Sequence, residues 1–186
     1  MLVAQLFIKV NPFSLPSFYF TMFDKIQNLN DLFELKLQGL YDAEKQLVKA
    51  LPKMAAKATD PRLRMGLEKH LRETENHMAR LEQIASGLDL DLDGPACKAM
   101  EGLIEEGQEI MAMGDTDEVT DAIIIAAAQG VEHYEISQYG TAVHFAKRLG
   151  YTPEAELLQA TLTEEKNADE TLNQLAISSV DEKALS

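Results

Sequence analysis

A carboxylate and an imidazole stand four residues apart at Glu73 and His77. On a helix, residues at this spacing lie on one face, one turn apart. Side chains of these two types can hold one metal ion between them, because carboxylate oxygen and imidazole nitrogen both bind divalent transition metals. A single pair indicates little by itself, since charged pairs at this spacing are common on helices.

The second half of the chain repeats the arrangement. Glu165 and Asp169 form another pair at the same four-residue spacing. Each pair follows a proline at the same distance, because twelve residues separate Pro61 from Glu73 and Pro153 from Glu165. Proline fits the first turn of a helix, where its missing N–H costs nothing. The spacing therefore predicts two helices that begin alike and carry an acid and a second ligand-type residue at the same depth.

The segments before these prolines also correspond. Glu44 lies seventeen residues before Pro61, and Glu135 lies eighteen residues before Pro153. Glu44 sits among leucines at helical spacing, where a carboxylate would be buried, and a buried charge is costly unless it is paired or bound to metal. The chain therefore predicts two helical hairpins, each offering one carboxylate from its first helix and a pair from its second.

Three further residues lie close to the predicted ligands along the chain. Glu132 lies three residues before Glu135 and is a candidate for an additional ligand. Glu164 is the alternative to Glu165 if the helix is rotated by one position. His70 lies three residues before Glu73, and a partly exposed or hydrogen-bonding role is favoured for it over a ligand role.

Apolar periodicity and capping residues predict the helices that must position these side chains. The first begins near an N-cap at Asn30 and runs to about Lys57, with Pro52 expected to bend it or end it early. The others are predicted at 61–87, with Asp60 as N-cap and Gly87 as the stop, at 96–113, from a cap at Thr116 or Asp117 to Leu149 with Gly150 as the stop, and at 152–177.

The most apolar stretch, residues 122–128, falls within the fourth predicted helix. A helix that is apolar around its circumference is central in its fold or contacts a second subunit. Two helical hairpins joined by a long connection predict an all-α, ferritin-like antiparallel four-helix bundle whose crossover contains an extra short helix.

Such bundles hold dinuclear sites in their cores. The predicted set has one imidazole and is otherwise made of carboxylates, which suits iron or manganese better than copper or structural zinc. Two iron ions are therefore expected, with manganese as the alternative. The set departs from the usual Glu-x-x-His pattern in its four-residue spacing and in Asp169, which replaces a second histidine and could weaken one metal position. The predicted ligands are Glu44, Glu73, His77, Glu132, Glu135, Glu165 and Asp169.

Composition limits the class of partner. The chain has 186 residues and a formal net charge of -14, which argues against nucleic acid or an anionic membrane as the partner of a basic surface. The single cysteine, Cys97, excludes an intrachain disulfide and fits a reducing cytoplasm.

The chain divides into three parts by character. Residues 1–21 are expected to be a flexible extension, because their apolar run is too short to span a membrane and Lys9 follows that run instead of preceding it as in a signal peptide. Residues 22–177 are expected to form the bundle. Residues 178–186 are expected to be a polar tail.

Four segments together resemble the YciE/YciF family of bacterial stress proteins: residues 41–47, residues 73–77, residues 132–135 and residues 165–169. The resemblance covers roughly residues 22–177. It implies a ferritin-like, all-helical homodimer akin to rubrerythrin, and it defines the fold better than the activity.

The function expected from the site and the resemblance is redox protection under stress by a dinuclear centre, of the oxidase or peroxidase type. Whether the protein turns over a substrate as an enzyme stays open. The alternative is a non-enzymatic helical dimer that acts through protein contacts, which exposure of residues 123–128 would support.

Overall fold

The computed structural model describes residues 25–185, and they are almost entirely helical. The extension predicted for residues 1–21 lies outside the described residues. The helices are α1 (Leu29–Lys57), α2 (Pro61–Leu88), α3 (Lys98–Met111), α4 (Asp117–Leu149), α5 (Thr152–Leu175), a π-helical turn (Ala176–Val180) and α6 (Asp181–Ala184). No helix within the described part combines the length and the hydropathy needed to cross a membrane.

Four long helices form the bundle. α1 packs on α2 and α4, and α5 packs on α4 and α2, so that the four helices enclose one core. The long connection between α2 and α4 carries α3, which packs against α4 and α1. The predicted ferritin-like four-helix bundle, with a short helix in its crossover, is confirmed.

Two apolar clusters fill the bundle at different heights. One contains Leu47, Leu67, Met100 and Ile124, and the other contains Phe33, Leu81, Ala142 and Leu158. Each of the four long helices contributes to both clusters, and between them each helix places polar residues in the core: Glu44 on α1, His70, Thr74 and His77 on α2, Glu132 and Glu135 on α4, and Glu165 on α5. The core is therefore two apolar layers with a polar layer between them.

Local side-chain chemistry explains most helix ends. Asp60 caps α2 with Pro61 at its first position, and Thr116 and Gly150 bound α4, all as predicted. The start of α1 differs, because the side chain of Asn28, two residues before the predicted cap, accepts the N–H groups of Asn30 and Asp31.

Pro52 does not end α1 early, and α2 passes its predicted stop by one residue. α1 continues past Pro52 to Lys57, because Pro52 lies on the solvent side while Leu51 and Met54 pack in the core. That burial outweighs the hydrogen bond that proline cannot make. α2 passes Gly87 and ends at Leu88, and Asp89 adopts the left-handed conformation that caps it.

The C-terminal segment is more ordered than the predicted polar tail. After α5 the chain continues through the π-helical turn into α6, and Val180 is buried in the apolar cluster around Leu47. The apolar run at 122–128 is internal on one side, where Ile124, Ile125 and Ala128 belong to that cluster. One side of this stretch is therefore central in the fold, and contact of its other side with a second subunit stays a prediction.

Candidate metal centre

The polar layer contains two groups of potential ligands. Glu44, His77 and Glu165 form one group, and His70, Glu132, Glu135 and Glu165 form the other. Within each group, one ligand atom from every residue lies within 4.8 Å of the others, and all six side chains are buried. Because Glu165 belongs to both groups, one carboxylate connects them.

The first group is arranged around the imidazole of His77. Its Nδ1 lies 2.9 Å from Glu165 Oε1 and 3.5 Å from Glu44 Oε1. The same oxygen of Glu44 accepts a hydrogen bond of 2.5 Å from the hydroxyl of Tyr139. Tyr139 and Glu44 are both fully buried, so this group is enclosed by protein on the side of α4.

The second group is arranged around His70. Its Nε2 lies 3.3 Å from Glu132 Oε1 and 3.8 Å from Glu165 Oε2. Glu135 completes the group from the next turn of α4, and neither of its carboxylate oxygens has a hydrogen-bond partner. This group therefore offers three carboxylates and one imidazole.

Unpaired polar atoms are concentrated in this layer. Among the described residues, the buried side-chain atoms that lack a hydrogen bond are Gln38 Oε1 and atoms of these six residues. Glu165 and Glu135 each have two such oxygens, and His70 has two such nitrogens. Buried polar groups in folded proteins are nearly always paired, so a cluster of exceptions requires an explanation. Oxygen and nitrogen atoms of this kind, which point toward one another in a buried layer, are suited to bind a metal ion.

Electrostatics also favours a cation. Burial, reinforced by the neighbouring carboxylates, raises the pKa of Glu135 well above its ordinary value, and burial does the same to the pKa of Glu132. Burial alone would lower the pKa of each histidine, but the adjacent carboxylates outweigh it and raise the pKa of His70 to about 9 and that of His77 to about 10. Without metal, the layer therefore retains protons that an arriving cation would displace.

Two of the predicted ligands lie outside both groups. Glu73 is partly exposed, pairs with Lys69, and approaches only the outer nitrogen of His70, at 3.8 Å. Asp169 is also partly exposed and faces α4, where Gln129 donates to its Oδ1 at 3.1 Å and His133 lies 3.3 Å from its Oδ2. The structure brings together the other five predicted residues, Glu44, His77, Glu132, Glu135 and Glu165, and adds His70.

The spacing of buried residues on α2 explains why Glu73 lies outside the groups and why His70 lies within one of them. The buried stripe is formed by Leu63, Leu67, His70, Thr74, His77, Leu81 and Ile84, with intervals that alternate between three and four. This is the pattern of a helix packed along one seam. His70 and His77 both lie on the stripe, seven residues apart, whereas Glu73 lies one position to its side. The leucines on either side of the histidines carried this signal in the sequence.

A second carboxylate contacts His77 from the outer side of the bundle. Glu164 Oε2 lies 2.9 Å from Nε2 of His77 and accepts a hydrogen bond of 2.5 Å from Nη1 of Arg80. Nη2 of Arg80 donates to the other oxygen of Glu164 at 2.9 Å. Hydrogen bonding to the Arg80 guanidinium lowers the pKa of Glu164, so its carboxylate stays ionised.

The fold and the polar layer together define a ferritin-like four-helix bundle with a carboxylate–histidine core. Comparison with known proteins places the chain within that class. The chain belongs to the family described as a domain of unknown function, DUF892, which matches residues 28–185.

The resemblance to the YciE/YciF family is confirmed by the individual relatives. YciF of Escherichia coli K12 is 44% identical over 160 residues, which cover 86% of this chain and 96% of that protein. The crystal structure of that stress protein superposes with a TM-score of 0.81 at 43% identity, covering 84% of this chain and 99% of the other. The YcfI protein of Rhodopseudomonas palustris gives a TM-score of 0.79 at 41% identity, covering 83% and 98% of the two chains.

Proposed function

We propose that the polar layer holds a dinuclear centre of iron, or of manganese in its place, and that the protein serves in redox protection under stress. The observation that carries the proposal is the convergence of buried potential ligand atoms in this layer, among which both oxygens of Glu135 have no hydrogen-bond partner. A hydrogen-bonded structural network would have satisfied both oxygens of Glu135, because leaving buried polar atoms unpaired destabilises the fold. The name of its relative, the E. coli stress protein YciF, supports the stress role.

The donor set determines which ions fit. Six side chains supply four carboxylates and two imidazoles, and thiolate ligands are absent from both groups. This composition favours iron or manganese over copper or structural zinc. Glu165 lies in both groups, with Oε1 toward His77 and Oε2 toward His70, so it is suited to contact both ions, as carboxylates do in other two-metal sites.

The residues of the polar layer would bind the two ions in two groups. Glu44, His77 and Glu165 would bind one ion, and His70, Glu132, Glu135 and Glu165 the other. Two ferrous ions held there would supply the two electrons that, with two protons, reduce one hydrogen peroxide to two waters. The apolar clusters on either side of the layer limit the access of bulk water to the bound ions.

The test is an anaerobic titration of metal-free protein with Fe(II), followed by addition of peroxide. Wild type is expected to bind two ions per chain and to oxidise them faster than the buffer does. Glu165→Gln removes the shared ligand and should lose most binding, whereas Asp169→Asn, one turn further along the same helix, should behave as wild type. Absence of binding in wild type, with Fe(II) and with Mn(II), would overturn the proposal.

A non-enzymatic interaction protein is the second candidate. α3 and α4 border a surface groove lined by Leu103, Gly107, Ile110, Ile123 and Ala126, and Ile110 is 42% exposed. The description of YcfI, which suggests a structural role, points the same way. If the wild-type protein binds no ion in the titration, the result would favour the interaction protein over the metal protein.

A further inference from the structure

Each imidazole of the polar layer has one nitrogen toward the buried carboxylates and one toward a carboxylate at the bundle surface. For His77 the inner nitrogen is Nδ1 and the outer partner is Glu164. For His70 the inner nitrogen is Nε2 and the outer neighbour is Glu73. The two histidines are therefore related in arrangement, although opposite ring nitrogens face inward.

The two outer carboxylates differ in their distance from the histidine nitrogens. Glu164 lies at hydrogen-bonding distance from His77, 2.9 Å. Glu73 lies 3.8 Å from His70, beyond hydrogen-bonding distance, and is engaged instead by Lys69. As a result both ring nitrogens of His70 lack a hydrogen bond, while the outer nitrogen of His77 has one.

Arg80 fixes the carboxylate that contacts His77. Its two terminal nitrogens each donate to a different oxygen of Glu164, and Nη1 also donates to Thr161 Oγ1 at 3.1 Å. A bidentate pair of this kind restricts the orientation of the carboxylate. Because an ionised carboxylate only accepts hydrogen bonds, Nε2 of His77 must carry the proton in this contact.

The position of that proton decides which nitrogen can bind metal. A neutral imidazole protonated at Nε2 has its lone pair on Nδ1, the atom that faces Glu44 and Glu165. Carboxylates that accept a hydrogen bond from the second nitrogen of a histidine ligand orient the ring and strengthen its binding.

We propose that Glu164, held by Arg80, is a positioning residue that directs Nδ1 of His77 toward the Glu44–Glu165 group, and that Glu73 does not do the same for His70. The inference rests on the proposed function, because the orientation matters only if an ion binds there. It assigns unequal support to the two metal positions. The imidazole of His77 is held in its orientation before an ion arrives, and the imidazole of His70 is not.

The test compares Glu164→Ala, Glu164→Gln and Glu73→Ala in metal-free and Mn(II)-loaded protein. Glu164→Ala removes the acceptor for Nε2–H, Glu164→Gln keeps an amide oxygen that can accept it, and Glu73→Ala is the matched control at the other histidine. Competition with a chelator should show Mn(II) affinity at one position reduced roughly 10- to 100-fold in Glu164→Ala. The affinities of Glu164→Gln and Glu73→Ala should remain close to wild type.

NMR of the metal-free protein provides a readout that does not depend on metal binding. In protein labelled with ¹⁵N-histidine, the Nε2–H of His77, assigned by its loss in His77→Gln, should exchange slowly with water in wild type and Glu164→Gln and rapidly in Glu164→Ala. Unchanged exchange and unchanged affinity in Glu164→Ala would overturn the inference. If wild type binds no Mn(II) or Fe(II), the proposed function fails, and the exchange measurement alone decides whether Glu164 orients His77.

Discussion

The hydroxyl of Tyr139 donates a hydrogen bond to Glu44 Oε1, and both side chains are completely buried. The bond joins α4 to α1 within the polar layer, and it leaves Glu44 Oε2 as the oxygen without a partner. Tyr139 therefore determines which oxygen of Glu44 is free to bind an ion.

The first prediction concerns this bond. Tyr139→Phe should destabilise the metal-free protein by about 1–3 kcal/mol, because it removes the partner of a buried oxygen. Urea unfolding in the presence of a chelator measures the change. Tyr41→Phe is the control, since its hydroxyl bonds to Glu82 at an exposed position and its removal should have a smaller effect. An equal loss of unfolding free energy in the two variants would contradict a stabilising role for the buried bond between Tyr139 and Glu44.

The second prediction contrasts two buried carboxylates. Both oxygens of Glu135 are unpaired, whereas Asp121 accepts from Thr59 N, Thr59 Oγ1 and Asp60 N. Glu135→Gln should therefore lower metal stoichiometry and leave the metal-free protein at least as stable as wild type. Asp121→Asn should lose about 1–3 kcal/mol of unfolding free energy and keep its metal. Ion content and thermal unfolding of each variant distinguish the two roles.

The third prediction concerns pH. In the metal-free protein the raised pKa values of Glu132 and Glu135 mean that the folded state retains protons which the unfolded state loses above its ordinary value of 4.5. Stability therefore falls as pH rises above that value. The histidines act in the same direction, because their contribution is fully present below 6.5 and is lost as pH rises through about 9 for His70 and about 10 for His77.

The measurement is the urea midpoint of chelator-treated protein between pH 5 and pH 9. The midpoint should decrease steadily over this interval, and Glu135→Gln should flatten the curve. Metal-loaded protein should show a weaker decrease or an increase, since deprotonated ligands bind the ion better. A midpoint that rises with pH in the metal-free wild type would contradict the assigned proton positions.

The fourth prediction tests membership of the ligand set. His70→Ala should reduce binding from two ions per chain to one, because it removes the imidazole of the second group. Glu73→Ala should retain two ions, because its carboxylate points toward the surface and pairs with Lys69. Two ions in His70→Ala together with one in Glu73→Ala would restore the ligand set predicted from sequence.

The sequence predicted the bundle more completely than the site. Capping at Asp60, Thr116 and Gly150 is a local property, so the corresponding helix ends could be found without the fold. Counting residues from Pro61 did not show which residues of α2 face the core. Such a count gives the position of a residue along the helix axis, but not the direction in which its side chain points. Glu73 and His77 were paired by spacing, although only His77 lies on the stripe that faces the other helices.

Contacts between helices determine where the candidate residues of α5 lie relative to the polar layer. Asp169 is half-buried and lies four residues after Glu165, but Gln129 and His133 on α4 engage its short side chain at the surface of the bundle. Nothing in the sequence of α5 alone indicates this contact. Glu164 and Glu165 were alternatives in sequence, and the structure uses both, one inside the layer and one against the outer face of His77.

Glu165, the carboxylate shared by the two groups, lies on α5, the last of the four bundle helices to be synthesised. Glu44, His70 and His77 leave the ribosome well before it, yet neither ligand group is complete until α5 has packed onto α2 and α4. A nascent chain therefore has no finished site to capture an ion. An ion that binds there would therefore have to enter after α5 has packed, between two apolar layers.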